Sequence, residues 1–89
     1  MKEKIIKVSN KMGLHARPAA LLVQTVAKFQ ATVKILKDDF EVDSKSIMGV
    51  MTLAAGPGSD LKFVADGSDE NEVLTAIENL FNSGFGEQG

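Results

Sequence analysis

The chain has no cysteine and only one histidine among its 89 residues. Without cysteine there is no disulfide framework and no thiol chemistry, and a single histidine excludes an ordinary all-protein zinc site or a cysteine–histidine nucleophile pair. No apolar run approaches the length that spans a bilayer, and charged residues interrupt the N-terminus too often for a signal peptide. We therefore expect a cytoplasmic protein without a metal and without membrane insertion.

The balance of charge and hydrophobicity is that of a small globular protein. Hydrophobic residues make up 44% of the chain and charged residues 25%, with a net charge of −2. An acidic chain of this kind does not attract phosphate backbones or anionic lipids, so no nucleic-acid partner is expected. The length suits one core, and we expect a single domain over residues 1–89.

Apolar residues recur with strand and helix periods along the whole chain. Two predicted helices each have a hydrophobic stripe that must pack against a sheet. This predicts an α+β open-faced sandwich, in which helices cover one face of the sheet and water contacts the other. The tail from Phe85 onward is expected to be frayed. The predicted order is a strand at 3–9, a helix at 16–29, strands at 32–37 and 40–43, a short helix at 46–53, a strand around 61–65 and a last helix after 69.

The only histidine lies in the segment 13–18, Gly-Leu-His-Ala-Arg-Pro, where a loop is predicted to become a helix. Gly13 permits a turn, and Pro18 fits a first helical turn because its missing amide proton costs nothing there. The alanine- and leucine-rich run that follows is a strong helix former. His15 is thus predicted to lie at a helix start.

An anion carried by His15 would meet favourable groups at this position. The first amides of a helix lack intrahelical acceptors and form the positive end of its dipole. Arg17 adds a permanent cation with planar donors that suit phosphate oxygens. The pattern therefore predicts His15 as a phosphoryl acceptor, with Arg17 and the backbone amides of Ala16 and Arg17 as stabilising groups. In the simpler alternative, His15 is a loop residue or helix cap and Arg17 is a solvated charge.

Two motifs together resemble a known family. Residues 13–20, Gly-Leu-His-Ala-Arg-Pro-Ala-Ala, and residues 45–49, Lys-Ser-Ile-Met-Gly, resemble the HPr proteins, histidine-containing phosphocarriers of the bacterial sugar phosphotransferase system. The resemblance covers the whole chain and implies a four-stranded antiparallel sheet in the order 1-4-2-3 under three helices. It also implies that Nδ1 of His15 takes a phosphoryl group from enzyme I and gives it to the A domains of enzymes II. Such a carrier is not itself an enzyme and needs no cofactor.

Ser46 has two compatible interpretations. As a helix N-cap it would contribute about 1 kcal/mol and need no further role. The resemblance implies that it is also a regulatory phosphorylation site for an HPr kinase/phosphorylase, which would bring in a catabolite-control regulator as a partner. A phosphate there would add negative charge near a docking partner.

Methionines three residues apart on the short helix predict an adaptable surface, although they could equally be ordinary core or half-buried residues. The resemblance implies that partner proteins dock on a face formed by two helices. We expect the carrier to be a monomer when it is not bound to a partner. The residues implied for this docking face are Ala16, Ala20, Gln24, Ile47, Met48 and Met51.

Some signals fail and some alternatives stay open. Asp39, Glu41 and Asp43 alternate like calcium ligands, but the glycine and glutamate that such a loop requires are missing. Met12 stands where many HPr proteins have serine or asparagine, so no side-chain hydrogen bond to a phosphoryl group is expected from that position. The alternatives are a nitrogen-branch phosphocarrier, a regulatory module of the same fold that acts through phosphorylated Ser46, and a small structural or metabolite-binding domain in which His15 is incidental.

Overall fold

The structure, a computed structural model, describes residues 1–9, 13–53 and 55–86. The predicted α+β architecture is confirmed, and most predicted bounds lie within two residues of the observed ones. The elements are β1 (Lys2–Lys7), α1 (Ala16–Ala27), β2 (Thr32–Lys37), β3 (Phe40–Asp43), α2 (Ile47–Thr52), β4 (Asp60–Asp66) and α3 (Glu70–Asn82), followed by a 3-10 turn at Gly84–Gly86.

The four strands form one sheet in the order β1-β4-β2-β3, as the family resemblance implied. All neighbouring strands are antiparallel. Along β4, Leu61, Phe63 and Ala65 are fully buried, while the residues between them are more exposed. On the opposite, open face, a cross-strand ion pair joins Lys7 to Asp60 at 3.2 Å. The sheet therefore has one face in the core and one face in water, the ordinary pattern for an antiparallel sheet.

The core lies between the sheet and the helices. Leu22 and Val26 of α1 and Ile77 of α3 are fully buried, at the helical spacing that the sequence predicted. Phe63, the largest fully buried side chain, meets Phe81 of α3 edge to face, with 5.6 Å between ring centroids. Such aromatic pairs add to the stabilisation that burial of apolar area already gives.

One end of the sheet carries the loop that contains the lone histidine. The backbone N–H of Leu14 donates to the carbonyl of Ala55 at 2.9 Å, and the 55–59 segment leads directly into β4. We call this end of the sheet the site end. Because the strands alternate in direction, the end of β2 and the start of β3 also lie there. The residues that mark the site end are Lys7, Lys37, Phe40 and Asp60.

The expectation of a frayed tail is wrong for Phe85. This side chain is 2% exposed, and its ring lies 4.7 Å from the ring of Phe81. Gly84 and Gly86 both have positive φ, and Phe85 itself has φ of 59°, so the chain reverses and returns the ring to the core. Burial of an aromatic ring offsets the cost of a left-handed backbone at a residue with a side chain. The rest of the predicted frayed tail, residues 87–89, lies outside the described residues.

Asp69 begins α3 but does not cap it with its side chain. Its carboxylate instead accepts hydrogen bonds from the backbone N–H groups of Gln30 and Ala31, both at 2.8 Å. The Lys45 ammonium donates to the carbonyl of Phe29 at 3.2 Å on the same loop. The loop between α1 and β2 is thus held to the start of α3 by one carboxylate, which we call the Asp69 clasp.

We expect Asp69→Asn to lower the midpoint of thermal unfolding by several degrees at pH 7, because an amide accepts two hydrogen bonds less well than a carboxylate. The hydrogen bond from Gln30 is the main cause that lowers the pKa of Asp69 below its ordinary value of 3.8. A carboxylate with a depressed pKa stabilises the fold above that ordinary value, and the stabilisation is lost as the pH falls through the folded-state pKa. The wild-type midpoint should therefore fall more between pH 5 and pH 3 than that of Asp69→Asn.

Glu72→Gln is the matched control for Asp69→Asn, since Glu72 is an exposed acid in the first turn of the same helix. It removes the same charge near the same helix dipole and leaves the Asp69 clasp intact. Differential scanning calorimetry over this pH range makes the comparison. Equal midpoints for the two variants at pH 7 would show that the clasp does not stabilise the fold.

Candidate functional site

His15 is the N-cap residue of α1, as the sequence predicted for a loop that becomes a helix. Its backbone is extended, with φ of −78° and ψ of −172°, and its carbonyl accepts the first intrahelical hydrogen bond, from the N–H of Ala19 at 3.0 Å. The imidazole is half-buried and makes no capping hydrogen bond to the helix. The ring thus stands at the positive end of a 12-residue helix.

Two backbone donors remain at the start of α1. Pro18 has no N–H, and the N–H of Ala19 is already used by His15. The N–H groups of Ala16 and Arg17 donate to no acceptor in the part of the chain that the structure describes. These are the two amides that the sequence assigned to a phosphoryl group, and helix-start amides of this kind bind anions.

Arg17 is exposed on the first turn of the same helix. Across residues 1–9, 13–53 and 55–86 its guanidinium takes part in no ion pair, and the first turn of α1 contains no acidic residue. Nothing described therefore competes with an incoming anion for this cation. The planar guanidinium of an arginine can donate two parallel hydrogen bonds to phosphate oxygens. Arg17 can therefore add both positive charge and hydrogen-bond donors to those of the helix start.

Gly13 holds the histidine loop against the 55–56 segment. It is buried and has φ of +66°, and a Cβ atom there would lie 2.4 Å from the carbonyl oxygen of Ala55 and 2.8 Å from Cα of Gly56. The sequence identified Gly13 only as a turn residue. Gly13 contacts a segment that is more than 40 residues away in the chain, so no local sequence pattern could have predicted this contact.

Ser46 is exposed and begins α2, where its hydroxyl oxygen accepts a hydrogen bond from the N–H of Gly49 at 3.2 Å. The predicted N-cap role is therefore confirmed. The capping interaction leaves the hydroxyl in contact with solvent, at a helix start where a negative charge is favourable.

The residues implied for partner docking line the outside of α1 and α2. Met48, Met51 and Ile47 are 70%, 42% and 40% exposed, so none of them is a core residue. Val50 is the fully buried residue of α2 instead. Ala16 and Gln24 are exposed on α1, and Ala20 is half-buried there. We call Ile47, Met48 and Met51 the methionine face.

The weaker sequence signals lead to no further site. Among the described residues, no group of three or more His, Cys, Asp or Glu side chains could hold a metal ion, and no helix is long and apolar enough to cross a membrane. Glu41 pairs with Lys34 at 3.4 Å, and an oxygen of Asp43 accepts from the Lys45 N–H at 2.9 Å. Met12, the position at which the chain departs from many HPr proteins, lies outside the described residues.

Comparisons with known proteins agree with this geometry. The family model described as the PTS HPr component phosphorylation site matches residues 2–83. The phosphocarrier protein HPr of Treponema pallidum (strain Nichols) is 48% identical over 85 residues, covering 96% of this chain and 97% of the relative. The crystal structure of HPr-C-His from Thermoanaerobacter tengcongensis superposes with a TM-score of 0.96 at 48% identity, over 100% of each chain.

A regulatory relative is also similar to this chain. The crystal structure of Crh, the Bacillus subtilis catabolite repression containing protein, superposes with a TM-score of 0.68 at 39% identity, over 94% of this chain and 92% of that one. That structure is described as a dimer with a swapped domain. The family match spans nearly the whole chain, and a carrier family accounts for a site with an imidazole, two amide donors and an arginine. The chain belongs to the HPr family, the phosphocarrier proteins of the phosphotransferase system, which carry phosphoryl groups and are not catalytic enzymes.

Proposed function

We propose that this phosphocarrier accepts a phosphoryl group on His15 from phosphorylated enzyme I and gives it to the A components of enzymes II in sugar uptake. The observation that carries the proposal is the position of His15 as N-cap of α1, beside the two amides and the guanidinium described above. The protein would work in the cytoplasm as a single domain, without cofactor or metal.

Each transfer exchanges one phosphorus–nitrogen bond for another. A ring nitrogen of neutral His15 attacks the phosphorus on the enzyme I phosphohistidine, whose phosphorus–nitrogen bond breaks as the new one forms. The second transfer repeats this step with His15 as the leaving group. Since the bond that breaks resembles the bond that forms, neither direction is strongly favoured, which suits a carrier.

Electrostatics at the start of α1 favour the phosphorylated state. A phosphoryl group brings a charge of roughly −1.5 to −2, and a helix N-terminus stabilises a negative charge by about 0.3–1 kcal/mol. Arg17 adds a charge-assisted hydrogen bond. These modest terms hold the group in place while a partner protein supplies the remaining catalytic groups.

The most direct test of the carrier reaction uses phosphoenolpyruvate with a labelled phosphoryl group and purified enzyme I. One acid-labile phosphoryl group should appear on each chain, and addition of an enzyme II A component should remove it. A protein that stays unlabelled under conditions in which enzyme I itself is phosphorylated would refute the proposed function.

Arg17→Ala should slow phosphoryl transfer to His15 about 10- to 100-fold, the factor expected when a charged hydrogen bond to the transferred group is lost. Arg17→Lys should recover part of the rate, because it keeps the charge but not the planar fork. Rapid-quench measurements with enzyme I give these rates. Lys28→Ala, which removes a cation from the opposite end of α1, is the control, and equal rates for the two alanine variants would remove Arg17 from the site.

Ser46 is the proposed regulatory phosphorylation site, modified by an HPr kinase/phosphorylase and then recognised by a catabolite-control regulator. Its exposure and its place beside the methionine face support this role. A phosphate there would add negative charge to the surface on which partners dock.

Ser46→Asp should therefore slow phosphorylation by enzyme I about tenfold, through repulsion during docking. Ser46→Asn is the matched control, because asparagine caps a helix as well as aspartate does but carries no charge. The comparison is made at low ionic strength, where exposed charges are least screened. If Ser46→Asp is phosphorylated as fast as Ser46→Asn, the regulatory role is excluded.

Likeness to Crh supports one alternative, a regulatory module that acts through Ser46. The presence of His15 favours the carrier, because the family resemblance implies that such purely regulatory forms lack the acceptor histidine. We propose a monomer, and sedimentation equilibrium would distinguish it from a dimer of the kind described for Crh. A nitrogen-branch carrier would use the same site with a different enzyme I, so transfer assays with both kinds of enzyme I separate the two branches.

A further inference from the structure

Phe40, the first residue of β3, presents its ring to solvent. The side chain is 69% exposed, whereas three of the other phenylalanines, Phe63, Phe81 and Phe85, are at most 2% exposed. Its strand partner is Lys37, whereas Val42, two residues later, lies opposite the fully buried Ile35. Because side chains alternate along a strand, Phe40 and Val42 are on the helix-covered side of the sheet.

The helix that carries the methionine face passes over this part of β3. A Cβ atom at Gly49 of α2 would lie 3.3 Å from Cβ of Val42, and Phe40 is only about 7 Å further along the strand. The helix starts near Asp43, whose carbonyl accepts the Ser46 N–H at 3.0 Å, and leads toward the 55–59 segment at the site end. Phe40 is also at the site end, so α2 runs toward the end of the sheet at which Phe40 lies.

We propose that Phe40 extends the methionine face and anchors a phosphotransfer partner whose docking face has an apolar pocket bordered by cationic side chains on the Phe40 side, away from Ser46. The inference rests on the proposed carrier function and adds a residue and a partner chemistry to it. A protein interface of ordinary size covers about 800 Å² on each partner, a patch roughly 30 Å across. The whole molecule measures 35 × 27 × 20 Å, so a patch of this size takes up most of one of its faces.

The residue types at this end of the molecule are those that interfaces favour. Aromatic residues, methionine and arginine are enriched at protein interfaces relative to the remaining surface. Phe40, Met48, Met51 and Arg17 are all exposed and belong to these types. A ring with only two side-chain torsions also loses little conformational entropy when a pocket encloses it.

The charges beside the ring indicate the rim of that pocket. Asp38 and Asp39 precede Phe40 in the hairpin and are exposed, and neither makes an ion pair with any residue that the structure describes. Glu41 follows the ring but is paired with Lys34. Two uncompensated carboxylates next to an exposed ring are complementary to cationic side chains on that side of an apolar pocket.

The test compares Phe40→Ala with Ile5→Ala in phosphoryl-transfer assays with purified enzyme I and enzyme II A components. Ile5 is 68% exposed but follows the alternation of β1 onto the open face, since Ile6 is buried, so it matches Phe40 in exposure and not in location. We expect Phe40→Ala to raise KM about tenfold for at least one of these partners, with Ile5→Ala unchanged. Thermal unfolding checks that both variants are folded.

A double variant, Asp38→Asn with Asp39→Asn, tests the cationic border of the pocket. Asparagine accepts the positive φ of 54° at Asp38, so the hairpin is preserved. This variant should raise KM for the same partner at low salt, and added salt should reduce the difference from the wild type. A lower KM instead would contradict a cationic border.

The results separate failure of this inference from failure of the carrier function. If the wild type is labelled by enzyme I but Phe40→Ala behaves like Ile5→Ala with every partner, the docking role of Phe40 is refuted and the carrier function stands. If the wild type is not labelled, both are refuted. If Phe40→Ala only abolishes self-association in sedimentation experiments, the ring packs against a second copy and the proposed partner is wrong.

Discussion

Replacing His15 with alanine is expected to abolish labelling by enzyme I and phosphoenolpyruvate completely. The chain has no second imidazole and no thiol to replace it, so a labile phosphorus–nitrogen bond has no other histidine on which to form. The amide donors and Arg17 would remain but would have no nucleophile to serve. The measurement is the amount of acid-labile phosphate on each chain after exhaustive phosphorylation.

His15→Asn is the companion variant, because asparagine is a favoured N-cap residue and keeps the start of α1 in place. It too should remain unlabelled, which separates the loss of the nucleophile from a disturbance of the helix. Acid-labile label retained by either variant would mean that the acceptor is a residue other than His15, whereas acid-stable label would point to a hydroxyl such as that of Ser46.

Gly13→Ala is expected to damage both the fold and the carrier reaction. Its Cβ atom would have to occupy space 2.4 Å from the Ala55 carbonyl oxygen, and the residue would keep a left-handed backbone at φ of +66°. The left-handed conformation alone costs about 1–2 kcal/mol, and the clash with backbone atoms raises the total loss of stability to about 3 kcal/mol. Urea unfolding measures the loss, and rapid-quench labelling should show transfer to His15 slowed by more than the unfolded fraction explains.

Gly84→Ala isolates the conformational part of that loss. Gly84 has nearly the same backbone angle, φ of +65°, but no atom lies within 4 Å of the position that its Cβ would occupy. We expect it to lose only about 1 kcal/mol and to be labelled at the wild-type rate. If Gly13→Ala were no less stable than Gly84→Ala, the contact of the histidine loop with the 55–56 segment would not hold the site together.

The elements that sequence predicted best are those with strong local signals. β2 and β3 alternate in hydrophobicity around Asp38 and Asp39, and both strands have the predicted bounds. Ser46 was predicted as an N-cap from its type and from the helical run after it, and its side chain does cap α2. In each case the physical cause lies within a few residues of the effect.

Features that depend on distant residues could not be predicted from such patterns. Phe85 follows a glycine near the end of the chain, and only its contact with Phe81 makes the left-handed turn favourable. The Asp69 clasp joins residues 38 and 39 positions apart, so Asp69 looked like an ordinary acid at a helix start. The conformation of Phe85 and the role of Asp69 depend on contacts between residues that are distant in the chain, and local sequence propensity does not reveal such contacts.

At the candidate site, the residues proposed to react could likewise be predicted from local sequence, whereas the contacts that position them could not. The proposed nucleophile His15, the cation of Arg17 and the start of α1 could be predicted from residues 13–18 because these groups are adjacent in the chain. The close packing of Gly13 on Ala55 and the exposure of Phe40 beside α2 required the three-dimensional structure. The local sequence therefore predicts the candidate reacting groups, and the fold shows what holds them and what lies around them.

The central claim, that His15 carries the transferred phosphoryl group, is tested most directly by NMR of ¹⁵N-labelled protein during incubation with phosphoenolpyruvate and enzyme I. The prediction is one phosphoramidate resonance coupled to a ring nitrogen of His15, which disappears when an enzyme II A component is added. A phosphate ester without coupling to the imidazole, or an unchanged imidazole while enzyme I is fully phosphorylated, would contradict the claim.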